Sequence, residues 1–115
     1  WLDRTRGLSG VILDPPAHAR SKTSRAMDWN ARRDYRGLVA AAATSLRPGG
    51  WLLCCINLKG LRRDWLSREV NAGLRMAGKR PNGSPTLAPP SPDHPRRKGF
   101  PEGRPFHGLF VRTCT

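Results

Sequence analysis

The sequence predicts one α/β domain whose strands are joined by a parallel crossover. Two apolar runs of strand length, one ending in Val11-Ile12-Leu13 and one at 51–56, flank a long stretch whose apolar residues recur at helical spacing. Strand, helix and strand in that order suit a right-handed crossover onto a shared sheet. The first run also stops abruptly at Asp14-Pro15-Pro16, as a strand buried on both faces does when prolines cannot continue its ladder.

Residues 1–7, with Asp3, Arg4 and Arg6, read as the loop leading into a strand at 8–13. In open α/β sheets ligands bind in the crevice beyond the carboxyl ends of the strands, so Asp14 is a candidate site residue. Pro15 and Pro16 carry no N–H, which makes the Asp14 carboxylate and the neighbouring carbonyls a rigid row of acceptors suited to an amino group. From His18 to Met27 there is no apolar period, and the stretch reads as a mobile loop over the site or as a solvated linker. Asp28 is placed to cap a helix over 29–47, with Ala31, Tyr35, Leu38, Val39, Ala42, Ala43 and Leu46 on one face. Pro48-Gly49-Gly50 stops that helix, the strand at 51–56 follows, and Asn57-Leu58-Lys59-Gly60 forms a loop on the same rim as Asp14.

A second helix is expected over 61–77, carried by Leu61, Trp65, Leu66, Val70, Leu74 and Ala77 and ended by Gly78. Beyond it the pattern dissolves. The residues thus divide into a βαβα core at 8–78, a Pro/Gly-rich loop region at 79–104 with a possible short strand at 86–88, and a terminal strand at 105–115.

A length of 115 residues suffices for one small domain. The 21 Lys and Arg against 8 Asp and Glu give a formal charge of +13, which attracts polyanions and makes nucleic acid the first partner to consider. No long apolar stretch or basic amphipathic anchor points to a membrane. Three cysteines, two of them adjacent at Cys54 and Cys55, make neither a disulfide framework nor a metal site, and three scattered histidines imply no metal. A reducing cytoplasm follows from the cysteines. The chain opens on Trp1 without a signal peptide, which suggests a piece of something longer.

In this order the elements resemble the carboxyl-terminal half of the class I S-adenosylmethionine-dependent methyltransferases, specifically the large-subunit ribosomal RNA enzymes of the cytosine-5 and guanine-7 types. The resemblance rests on the strand ending Asp14-Pro15-Pro16, the basic loop at 20–25, the helix bearing Tyr35, and Gly49-Gly50 before an apolar strand. It continues in Asp93-His94-Pro95 and Pro101-Glu102-Gly103 ahead of the last strand, and so spans nearly the whole chain. It implies the C-terminal half of a Rossmann-like methyltransferase sheet with flanking helices. It also implies S-adenosyl-L-methionine as cofactor and RNA as substrate.

The family's glycine-rich cofactor loop and ribose-binding acid belong to earlier strands, so the resemblance implies a fragment, inactive alone, whose first strand would pair with an amino-terminal half or another chain. A basic RNA-binding module without chemistry is the rival reading.

By the resemblance Asp14 would contact the cofactor and hold the base beside its methyl group, with Pro15 and Pro16 shaping the floor beneath it. His18 would stack on the base or simply be solvated, and His94 would brace its loop. Arg20, Lys22, Arg25, Arg32, Arg33 and Arg36, with Lys59, Arg62 and Arg63, form either a solvated surface or a phosphate-binding face. Tyr35 reads as core with a buried hydroxyl contact, and at least one of Cys54 and Cys55 as simple core. In the cytosine branch a nucleophilic cysteine lies seven residues past the Gly-Gly pair. Here that position is Asn57, followed by Lys59-Gly60 as in the guanine-7 branch, so the resemblance favours a purine and no cysteine nucleophile.

Overall fold

The computed structural model describes residues 6–20, 28–87 and 106–114. Lys22, Arg25, His94 and the Pro101-Glu102-Gly103 segment lie outside them. The elements in order are β1 (Leu8–Leu13), β2 (His18–Ala19), β3 (Trp29–Asn30), α1 (Ala31–Ser45), β4 (Leu46–Asn57), α2 (Trp65–Met76), β5 (Arg80–Pro81), β6 (Thr86–Leu87) and β7 (Phe106–Cys114).

The sheet runs β1-β4-β7-β5, with β6 also on β7. It is mixed rather than parallel throughout. β1 and β4 are parallel, as the crossover through α1 requires, whereas β7 returns antiparallel between β4 and the short strands.

Alternation along the strands builds the core. Leu13, Cys54 and Leu109 stand in register, as do Leu52 and Val111, and this face packs against Tyr35, Val39, Leu66, Val70 and Leu74 of the two helices. β1 is not buried on both faces as its apolar run suggests: among the described residues it pairs only with β4, and on the face opposite the helices Ile12 is 62% exposed, while the rings of Trp51 and Phe110 lie 5.7 Å apart. Trp51 covers Gly10, where an added Cβ would fall 2.0 Å from the indole.

The helices begin later than their patterns suggest. Asn30, not Asp28, caps α1: its side chain accepts from the Arg32 N–H, and its own N–H donates to the Asp34 carboxylate. The cause is long-range, because Trp29 and Asn30 pair with Ala19 and His18 in a small antiparallel ladder that defers the helix. α1 ends at Ser45, ahead of Pro48-Gly49-Gly50, which lies inside β4 instead of stopping the helix. Leu46 already pairs with Leu8, and the next pair is Gly10 with Trp51, so the extra residues are absorbed as an irregular step with Gly49 at φ +79°.

Residues 62–65 form a turn leading into α2, closed by the Trp65 N–H donating to the Arg62 carbonyl at 3.0 Å. Gly78 ends α2 as expected, at φ +70°; its N–H reaches the Arg75 carbonyl and the Lys79 N–H reaches that of Leu74, which is a Schellman closure. Lys79 Nζ then donates to the Leu46 carbonyl at 3.0 Å, supplying a cation at the end of α1, whose last turn has no basic residue.

α1 and α2 pack closely at Gly73. Beside that contact Arg36 grips Glu69 through two bonds of 2.9 and 3.0 Å, and Tyr35 meets Trp65 edge to face at 5.6 Å. Among the described residues no helix is long and apolar enough to cross a membrane.

Candidate functional site

The parallel pairing of β1 with β4 places their carboxyl ends on one rim. Leu13 is level with Cys54, so Asp14, exposed just past β1, lies beside Cys55, and Asn57 closes β4 two residues further along the same rim. At a strand rise of about 3.3 Å per residue, that sets Asn57 roughly 7 Å beyond the level of Asp14.

The turn after Asp14 is tied down. Trp29 donates its indole N–H to the Pro16 carbonyl at 2.6 Å, and the Ala31 N–H donates to the Ala17 carbonyl at 3.0 Å. His18 and Ala19, expected at the start of a mobile loop, instead pair with β3. Because Trp29 occupies the Pro16 carbonyl, the row of acceptors facing a ligand is shorter than the prolines alone suggest. Trp29 is the residue that sequence reasoning missed. The available signal was chemical: two consecutive prolines leave carbonyls with no local donor, and a side-chain donor must come from elsewhere.

The basic residues separate into two sets. Arg33 is held by Asp34 at 2.7 Å and by the Asp28 carbonyl, and Arg36 by Glu69. Arg62 and Arg68 both approach Asp64, at 3.7 and 3.8 Å. Arg20, Arg32, Lys59 and Arg63 are exposed and stand apart from these pairs. The Arg33 guanidinium, helped by the Asn30 N–H, holds the Asp34 carboxyl at about 2. The loop carrying Lys59 turns at Gly60, with φ +76°. His18 is exposed beside Arg20.

Behind the rim the groups are buried. The Tyr35 hydroxyl donates to the Cys55 carbonyl at 2.8 Å, and burial raises its pKa, with Cys54, Cys55 and Asp14 adding to the effect. Burial pushes the Cys54 thiol up to about 12. Cys55 is also raised, by burial and then by the Asp14 charge. Both therefore remain thiols at neutral pH, the opposite of an activated nucleophile.

A pH dependence follows. The folded pKa of Cys54 lies above its ordinary 9.0, so its contribution to stability is complete below pH 9 and is lost as pH rises from 9 towards about 12. Three units correspond to about 4 kcal/mol as an upper bound. Chemical denaturation across that range should show Cys54→Ala less stable at neutral pH but losing less stability on the alkaline side than the parent.

No protein-family model matches the chain. It is 34% identical over 67 residues to the ribosomal RNA large subunit methyltransferase K/L of Pseudoalteromonas atlantica, a match covering 56% of this chain and 9% of that protein. Among solved structures it superposes with a TM-score of 0.71 and 15% identity on a protein assigned as a methyltransferase and crystallised with SAH. It superposes with a TM-score of 0.66 and 12% identity on one assigned as SAM-dependent, from Streptococcus mutans. Each superposition covers 93% of this chain and 26% of the other, so the chain spans about a quarter of those structures. The α/β arrangement described above is the fold those structures share with it.

Proposed function

We propose that this chain, which carries the fold of the S-adenosylmethionine-dependent methyltransferases it matches, is the substrate-facing half of a cytoplasmic enzyme that methylates a base of ribosomal RNA. The observation that carries the proposal is the shared rim, where Asp14 at the end of β1 and Asn57 at the end of β4 frame a position beside an anchored Pro-Pro turn. The partial match to an RNA methyltransferase and the exposed Arg20, Arg32, Lys59 and Arg63 support RNA as the substrate. Three free cysteines suit a reducing compartment.

The rim fits one side of the cofactor and its acceptor. An exposed carboxylate with backbone acceptors suits an amino group, and the resemblance gives the cradling of the ribose to other strands. S-adenosylmethionine would supply an electrophilic methyl group. Asp14 would accept a hydrogen bond from the base and fix it for in-line attack. Transfer to a purine nitrogen places a positive charge on the ring, which the same carboxylate stabilises.

Cytosine carbon 5 would need a thiolate to add to the ring. Cys55 is buried with a raised thiol, and Asn57 stands at the rim instead. A purine acceptor is therefore the reading that this geometry supports best. The direct test is RNA containing 5-fluorocytosine, offered to the full-length polypeptide with cofactor. No covalent adduct is expected, and Cys55→Ser should retain methylation of natural RNA. An adduct that disappears in Cys55→Ser would overturn the purine reading.

The exposed cations favour one competing reading, a basic RNA-binding module without chemistry. Both readings require phosphate contacts. Four of these weaken binding about 100-fold between about 50 and 200 mM salt by counterion release. A flat response in an RNA titration would remove both.

A further inference from the structure

We infer that Trp29 is a positioning residue, the anchor that fixes where the Asp14 carboxylate stands relative to α1. The inference rests on the methyltransferase reading and adds to it a residue outside the Asp-Pro-Pro motif.

Pro15 and Pro16 have no N–H, so at these two positions the backbone of the turn after β1 can be held only through carbonyls. Among the described residues the donors that reach it are the Trp29 indole on the Pro16 carbonyl, at 2.6 Å across 13 positions, and the Ala31 N–H on the Ala17 carbonyl at 3.0 Å. Both come from the point where α1 begins. That point is itself braced, by Asn30 with Arg32 and Asp34, by the 2.7 Å pair of Asp34 with Arg33, and by the pairing of β3 with β2.

The Trp29 ring also packs against the core, which fixes the direction of its N–H. The turn and the first turn of α1 therefore form one body, and the indole bond transmits the position of the helix to the carboxylate. A misplacement of about 1 Å at a reacting centre can cost about 100-fold in rate.

The test removes the N–H while keeping the ring. In the full-length polypeptide, benzothienylalanine at position 29 alone has the indole shape with sulfur in place of N–H. It is expected to lower kcat for RNA methylation about tenfold to 100-fold, with KM for RNA and Tm unchanged. 7-Azatryptophan at the same position keeps the N–H and is expected to restore kcat.

An unchanged kcat in the benzothienyl variant, or a loss of kcat matched by a fall in Tm, would overturn the positioning role. Asp14→Ala is measured alongside. If it is inactive while the benzothienyl variant is fully active, only the Trp29 inference fails. If Asp14→Ala is also fully active, the carboxylate has no part in methyl transfer and the Trp29 inference falls with it; if the parent polypeptide itself methylates no RNA, the methyltransferase reading fails.

Discussion

Gly73→Val is expected to unfold the domain or leave it barely stable. Gly73 is buried in α2 where the helix crosses α1, and a Cβ there would stand 2.6 Å from Val39 Cβ and 2.7 Å from the Arg36 carbonyl oxygen. Neither neighbour can yield cheaply, since one is backbone and the other a branched side chain fully buried in the core. The helices must separate, and separation breaks the two-bond Arg36–Glu69 contact and the edge-to-face meeting of Tyr35 with Trp65.

Overpacking of this kind costs about 3 kcal/mol or more, against a total stability of roughly 5–15 kcal/mol for a domain of this size. Gly37→Ala makes the contrast. It lies in the middle of α1 with nothing within 4 Å of an added Cβ, and it should gain about 1 kcal/mol from helix propensity alone. Urea denaturation of the two variants should therefore move the midpoint in opposite directions. A stable Gly73→Val would mean that the helix crossing is looser than this packing.

Asp14→Ala is expected to lower methyl transfer by the full-length polypeptide about 1,000-fold, while leaving stability within about 0.5 kcal/mol. The two effects separate because the side chain is exposed and takes part in none of the ion pairs among the described residues. On the proposed function, its loss removes a ligand contact rather than a structural one. Single-turnover methylation of a ribosomal RNA fragment, with Tm as companion measurement, checks both halves. Activity close to that of the parent would remove the carboxylate from the reaction.

Elements bounded by their own chemistry were legible in the sequence. The strand at 8–13 stops at prolines, α2 stops at Gly78, and the last strand alternates along its own length, so each end is decided locally. Elements whose limits depend on distant partners were not. Trp29 and Asn30 have a helical pattern behind them, yet they are claimed by His18 and Ala19 across an intervening loop. Pro48-Gly49-Gly50 reads as a break, but β4 continues through it because Leu46 finds Leu8. Nothing within Arg80-Pro81 marks a strand, and its pairing with Thr113 and Cys114 exists only because β7 passes there.

The candidate site divides along the same line. Asp14 and Asn57 stand at strand ends that the apolar runs define, so both were placed on the rim before the fold was known. The role of Trp29 depends on a bond to a carbonyl far away in sequence. Arg36 looked available for phosphate, and only the helix crossing shows it committed to Glu69, 33 positions on.

The place of β7 in the sheet has a consequence for how the molecule is made. It is the last described element to be synthesised, yet it is an interior strand, with β4 on one side and β5 and β6 on the other. A chain emerging from the ribosome can form α1, α2 and the β1–β4 pair while the far edge of β4 still lacks its partner. Each bond from β4 to β7 then closes a long loop, joining Trp51 to Arg112 at one end and Asn57 to Phe106 at the other, and such distant pairings are slow. Folding of this domain is thus completed only after residue 114 has left the exit tunnel. Stalled or prematurely ended translation would leave an unfinished sheet, open to chaperones and proteases.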